Sequence, residues 1–134
     1  LDCGLAIAHK SRPRHNESAV MGIIGDITGK TCIVNDDMID TAGTITQAAL
    51  ALQERGASKV ICAATHAVFS GPAVERLNTS GMAEIIVTNT LPIRTAEPID
   101  NLTVLSIAPL IARAINAVFR DGSVTSLFGG QAYK

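Results

Sequence analysis

Residues 31–54 read TCIVNDDMIDTAGTITQAALALQE, and the fold follows from this stretch. The run at residues 31–36 is apolar without alternation until its acidic end, the pattern of a strand covered on both faces. A loop of small and hydroxyl residues follows. Ile45, Ala48, Ala49 and Leu52 then fall on one helical face, with Gln47, Glu54 and Arg55 elsewhere and Gly56 as a stop. Similar strand-like runs occur at KVICAAT (59–65), EIIVTNT (84–90) and TVLSI (103–107). Between the first two of these, SGPAVERLN predicts a short helix with Ser70 as cap and Pro72 in its first turn. A longer helix is expected from PLIARAINAVF, ended by Asp121-Gly122. Strand alternating with helix implies an α/β fold: a doubly wound, mostly parallel sheet flanked by helices, with its ligand site at the carboxyl ends of the strands.

The N-terminal part reads differently. Leu5–Ala8 and Ala19–Ile24 predict a two-strand flap, separated by KSRPRHN, a basic segment with a proline and no large apolar group. Such a segment is expected to be a mobile loop.

With 134 residues, 47% apolar and 17% charged, the chain is expected to form one globular domain with a real core. A net charge of −1 gives no general footprint for nucleic acid or an anionic membrane. No apolar run is long enough to span a bilayer, and the first residues lack the order of a signal peptide, so a cytoplasmic protein is expected. Cys3, Cys32 and Cys62 are widely spaced and far from His9, His15 and His66, which argues for reduced thiols and against a zinc site. The chain starts at Leu1, which suggests a piece of something longer.

The loop carries the chemistry. Thr41, Ala42, Gly43 and Thr44 bring small or hydroxyl side chains to a helix start whose backbone N–H groups lack partners, a setting suited to a dianionic phosphate. Asp36 and Asp37 would repel that phosphate, so they suit sugar hydroxyls or a divalent metal nearby. A pentose phosphate offers both ends. Asp40 either braces the loop amides or touches the ligand. On residue types alone, an ordinary N-cap preceded by a solvated acidic turn is the competing reading.

NDDMIDTAGT resembles the phosphoribosyl-diphosphate signature of the type I phosphoribosyltransferase fold. Together with HKSRPR, MGIIGDITGK, ATHAVFSGPAVERLN, VTNTLPI and SVTSLF, it is similar to the C-terminal half of the ribose-phosphate diphosphokinases over nearly the whole chain. The resemblance implies Mg2+-dependent transfer of a diphosphoryl group from ATP to the C1 hydroxyl of ribose 5-phosphate, giving phosphoribosyl diphosphate and AMP. It implies that Asp40, Thr41, Ala42, Gly43 and Thr44 hold the 5-phosphate. Asp36 and Asp37 would then face the ribose, directly or through magnesium, and Lys10 and Arg12 would be the catalytic cations of the flap loop. Ser123 and Thr125 match an effector element formed between subunits, which points to a homo-oligomer.

The sequence departs from the family at His9, where an aspartate is common, at Asn35, where an apolar residue is usual, and at Ala67, where proline is usual. A buried Asn35 would need hydrogen-bond partners. His9 and His15 flank the flap loop and are either phosphate contacts when protonated or bystanders. His66 lies at the rim where the fold places its ligand site, with a capping or packing role as the alternative. The family's N-terminal half, which supplies most adenine contacts, has no counterpart here, so an incomplete ATP site is expected, with marginal stability or self-association. Two other functions compete. A phosphoribosyltransferase acting on a nucleobase would need a base-binding hood that the sequence does not show. A non-catalytic regulatory paralogue would have no need of the acidic pair, the loop and both cations together.

Overall fold

The computed structural model describes residues 3–11 and 20–128, with the side chains of residues 8–11, 20 and 21 outside that description. Two antiparallel strands, β1 (Ile7–Ser11) and β2 (Val20–Ile24), form a separate ribbon in which Ile7 pairs with Ile24 and Lys10 with Met21. The main sheet contains β3 (Thr31–Ile39), β4 (Lys59–Ala67), β5 (Glu84–Thr88) and β6 (Leu102–Leu105), all parallel and in chain order. The helices are α1 (Gly43–Glu54), α2 (Ala73–Thr79) and α3 (Ala108–Phe119), and a 3-10 turn covers Val124–Phe128.

The parallel sheet flanked by helices is the expected fold. Because the strands follow one another in order, the reversal that completes a doubly wound sheet does not occur among the described strands. One face of the sheet is therefore the main core. Val60, Cys62, Ala64, Ile85 and Val87 are buried at alternate positions and join Ile45, Ala49 and Leu52 of α1 and Ala73 and Leu77 of α2. On the other face, Ile33 and Leu105 are exposed.

Two sequence expectations need correction. The flap strand lies later than Leu5–Ala8, so Lys10 sits in β1 rather than in a loop, and Arg12 lies outside the described residues. The β3 strand runs three residues past Asp36 to Ile39, which puts the acidic pair inside the strand. No helix joins β5 to β6. Pro92 and Pro98 interrupt that segment and disfavour helix. It is fixed instead by Asn78 Nδ2 donating to the Pro98 carbonyl at 3.0 Å and by Ile99, which is buried in the core.

The amphipathic helix expected behind Pro109 is present as α3, but none of its residues is buried; Ile111, Ile115, Val118 and Phe119 are exposed. Among the described residues, no helix is long and apolar enough to cross a membrane.

Candidate phosphate cradle

Position 42 is where the chain turns from strand to helix. Ala42, the N-cap of α1, has φ 61° and ψ 4°, a left-handed conformation that costs a non-glycine residue about 1–2 kcal/mol. Its methyl is buried in the core, which gives alanine rather than glycine a reason to be here. No side chain caps α1, and no acidic residue occupies its first turn. The first amides of the helix therefore keep hydrogen-bonding capacity and the positive end of the helix dipole. The Thr46 hydroxyl donates back to the Ala42 carbonyl at 2.8 Å and fastens the first turn from the buried side.

The loop is also held from β4 and α2. Backbone N–H groups of Val68 and Phe69 donate to the Ile39 carbonyl at 3.1 and 3.0 Å, and that of Ser70 to the Asp40 carbonyl at 3.0 Å. The Ser70 hydroxyl donates to the Asp40 carboxylate. Ser70 thus braces Asp40 and does not cap α2, whose N-cap is Pro72 with no side-chain hydrogen bond. Arg76 Nη1 donates to the Thr41 carbonyl at 2.9 Å.

Asp36 is half-buried and Asp37 exposed, as expected of neighbours on a pleated strand. The Asp37 N–H donates to Asp36 Oδ1 at 2.9 Å. Burial, with the Asp36 charge adding to it, pushes the Cys62 thiol up to about 12, which leaves it a neutral core side chain. Asn35 is exposed, so the feared desolvation cost does not arise. Beyond Asp36 the burial pattern shifts by one residue, and Ile39 and Ala67, rather than Met38 and His66, are buried.

The structure thus brings Asp40, Thr41, Ala42, Gly43 and Thr44 together at the start of α1, with Asp36 and Asp37 upstream on β3. His66 Nδ1 hydrogen-bonds the Thr90 hydroxyl at 2.8 Å, while the hydroxyls of Thr88 and Thr90 donate to the Thr65 carbonyl at 2.7 and 3.1 Å. Ser123 lies just before the 3-10 turn and accepts from Ser126 Oγ at 2.6 Å, and Thr125 lies within the turn. Sequence reading missed the roles of Ser70, Arg76 and Thr90. The one available signal for Arg76 was its position three residues after Ala73 on a helix, which sets it beside the buried face rather than opposite it. Asp36 and Asp37 carry the oxygen donors that a hard divalent cation takes. As strand neighbours they point to opposite faces of β3, so one of them at a time would face such an ion, with water and phosphate as its other ligands. Among the described residues, no group of three or more metal-ligating side chains is assembled.

A parallel α/β sheet with an uncapped helix start at a strand's carboxyl end defines a class of phosphate-binding domains. Residues 7–129 match the phosphoribosyl synthetase-associated domain, and the chain belongs to that family. It is 53% identical over 133 residues to a ribose-phosphate pyrophosphokinase of Streptomyces coelicolor, covering 98% of this chain and 41% of the relative. The corresponding protein of Clostridium tetani is 54% identical over 124 residues, covering 92% of this chain and 39% of that one. The crystal structure of phosphoribosylpyrophosphate synthetase from Mycobacterium smegmatis is similar with a TM-score of 0.76 and 53% identity, covering 87% of this chain and 37% of that chain. The chain spans about two fifths of the length of the curated relatives it matches.

Proposed function

We propose that this chain is the ribose 5-phosphate-binding, C-terminal half of an enzyme that transfers diphosphate from ATP to the C1 hydroxyl of ribose 5-phosphate, yielding phosphoribosyl diphosphate and AMP. The observation that carries this reading is the uncapped, left-handed entry into α1 at Ala42, in a chain 53% identical to a ribose-phosphate pyrophosphokinase. In this proposal the amides of Ala42, Gly43 and Thr44, with the hydroxyls of Thr41 and Thr44, hold the 5-phosphate. Hydrogen bonds to a charged group contribute about 1.5–3 kcal/mol each, so a few suffice for binding. Asp40 stays braced by Ser70 and shapes the loop. Asp36 and Asp37 accept from the ribose hydroxyls or hold magnesium, and that cation when bound neutralises phosphoryl charge. Lys10 and Arg12 offset the charge that spreads over the diphosphoryl oxygens in transit. Ser123 and Thr125 belong to an effector site between subunits of a homo-oligomer. The enzyme works in the cytoplasm, and the chain alone binds ribose 5-phosphate but is inactive.

The test is AMP release from ATP with magnesium and ribose 5-phosphate, using this chain alone and then supplemented with the N-terminal half of a relative. Activity is expected only in the second case. Absence of AMP there, with turnover of phosphoribosyl diphosphate and a nucleobase instead, would replace this reading by a transferase.

A further inference from the structure

We propose that Arg76 is a positioning residue of the phosphate cradle, setting its amides toward a dianionic phosphate monoester; the proposal rests on the ribose 5-phosphate reading. In a trans peptide the C=O and the following N–H point in opposite directions. Arg76 Nη1 holds the Thr41 carbonyl at 2.9 Å, so the Ala42 N–H of the same peptide plane faces away from the guanidinium. Ala42 is left-handed and Gly43 begins a right-handed helix, a succession that turns neighbouring amides into one concave, anion-binding nest. A freely rotating Thr41–Ala42 peptide could instead turn its carbonyl into the nest, and an anion would be repelled. Arg76 prevents that turn.

Two further observations tie the side chain to this task. A Cβ at position 43 would lie 3.2 Å from Arg76 Nη1 and 3.8 Å from Thr41 Oγ1, so the glycine leaves the room that the guanidinium fills. Among the described residues, Arg76 makes no ion pair with a carboxylate, and its guanidinium stands behind the loop on the Thr41 carbonyl. The position is fixed from below, since Ala73 and Leu77 on the same helix are fully buried.

The experiment measures ribose 5-phosphate binding to this chain by calorimetry, with Arg76→Gln and Arg76→Lys beside the parent. Thermal melts and the 1H–15N shifts of Ala42, Gly43 and Thr44 are followed on the same samples. Arg76→Gln is expected to weaken binding at least tenfold, with an unchanged melting temperature and reduced ligand-induced amide shifts. Arg76→Lys, which keeps one donor and the charge, is expected to recover part of the affinity. If Arg76→Gln melts early, Arg76→Lys alone decides: affinity weaker than the parent's supports the role, and parental affinity overturns it. Parental affinity and shifts in a folded Arg76→Gln would also overturn it, leaving the cradle reading intact. A parent chain that binds no ribose 5-phosphate would sink the cradle reading and this role with it.

Discussion

Raising the pH should reveal the buried thiol at the centre of the sheet. Cys62 is fully buried on β4, and desolvation together with the Asp36 charge lifts its pKa from 9.0 to about 12. An unfolded chain releases this proton near pH 9, whereas the folded chain holds it. Between those values the folded state binds more protons, so stability falls as pH rises. The contribution is fully present below pH 9 and is lost toward pH 12, at about 1.4 kcal/mol per pH unit. At pH 10.5 the loss attributable to Cys62 is therefore on the order of 2 kcal/mol. Lysines and the single tyrosine titrate in the same range, so the parent is compared with Cys62→Ala. The chain has no tryptophan, and urea unfolding is followed by far-UV circular dichroism at pH 8 and 10.5. The gap between parent and variant should narrow, or reverse, by about 2 kcal/mol at the higher pH. Equal losses in both proteins would refute the reasoning.

Three other outcomes follow from the cradle. Asp36→Asn with Asp37→Asn should weaken ribose 5-phosphate binding measured by calorimetry. Lys10→Ala should leave that binding near parental and slow AMP release in the supplemented enzyme; equal binding losses in both variants would contradict the division of roles. Ser70→Ala removes the hydroxyl that braces Asp40, with an expected stability loss of about 1–2 kcal/mol and a several-fold loss of ribose 5-phosphate affinity. An unchanged affinity in that variant would mean that Asp40 needs no brace.

The strand–loop–helix unit at residues 31–54 was legible because each part follows a local rule: a continuous apolar run, small residues at a helix start, and a 3.6-residue stripe of Ile45, Ala48, Ala49 and Leu52 that the structure buries. The end of β3 was not, because Asp36 and Asp37 look like a turn when read locally, while pairing of Met38 with His66 and Ile39 with Ala67 keeps them in the sheet. Pairing between distant segments overrode local polarity. Ser70 was read as a helix cap for the same reason: its partner Asp40 is distant in sequence and only the parallel sheet sets the two side by side. Arg76 carried no motif, since a hydrogen bond to a remote backbone carbonyl leaves no residue pattern.

Helix α1 has a second attachment at its far end. Arg55, its C-cap, donates to the Ile23 carbonyl of β2 at 2.5 Å, and Ile23 is buried in the same core as Leu52. The ribbon bearing Lys10 and the loop at Ala42 are therefore mounted on opposite ends of one rod. At about 1.5 Å per residue that rod is roughly 18 Å long, and a tilt of about 3° would carry one end some 1 Å out of line. Misalignment of that size is enough to cost a reaction about a hundredfold. Under the proposed reaction, the seating of Ile45, Ala49 and Leu52 is thus also a matter of aim: a smaller side chain beneath the rod would shift the backbone of the ribbon against that of the loop.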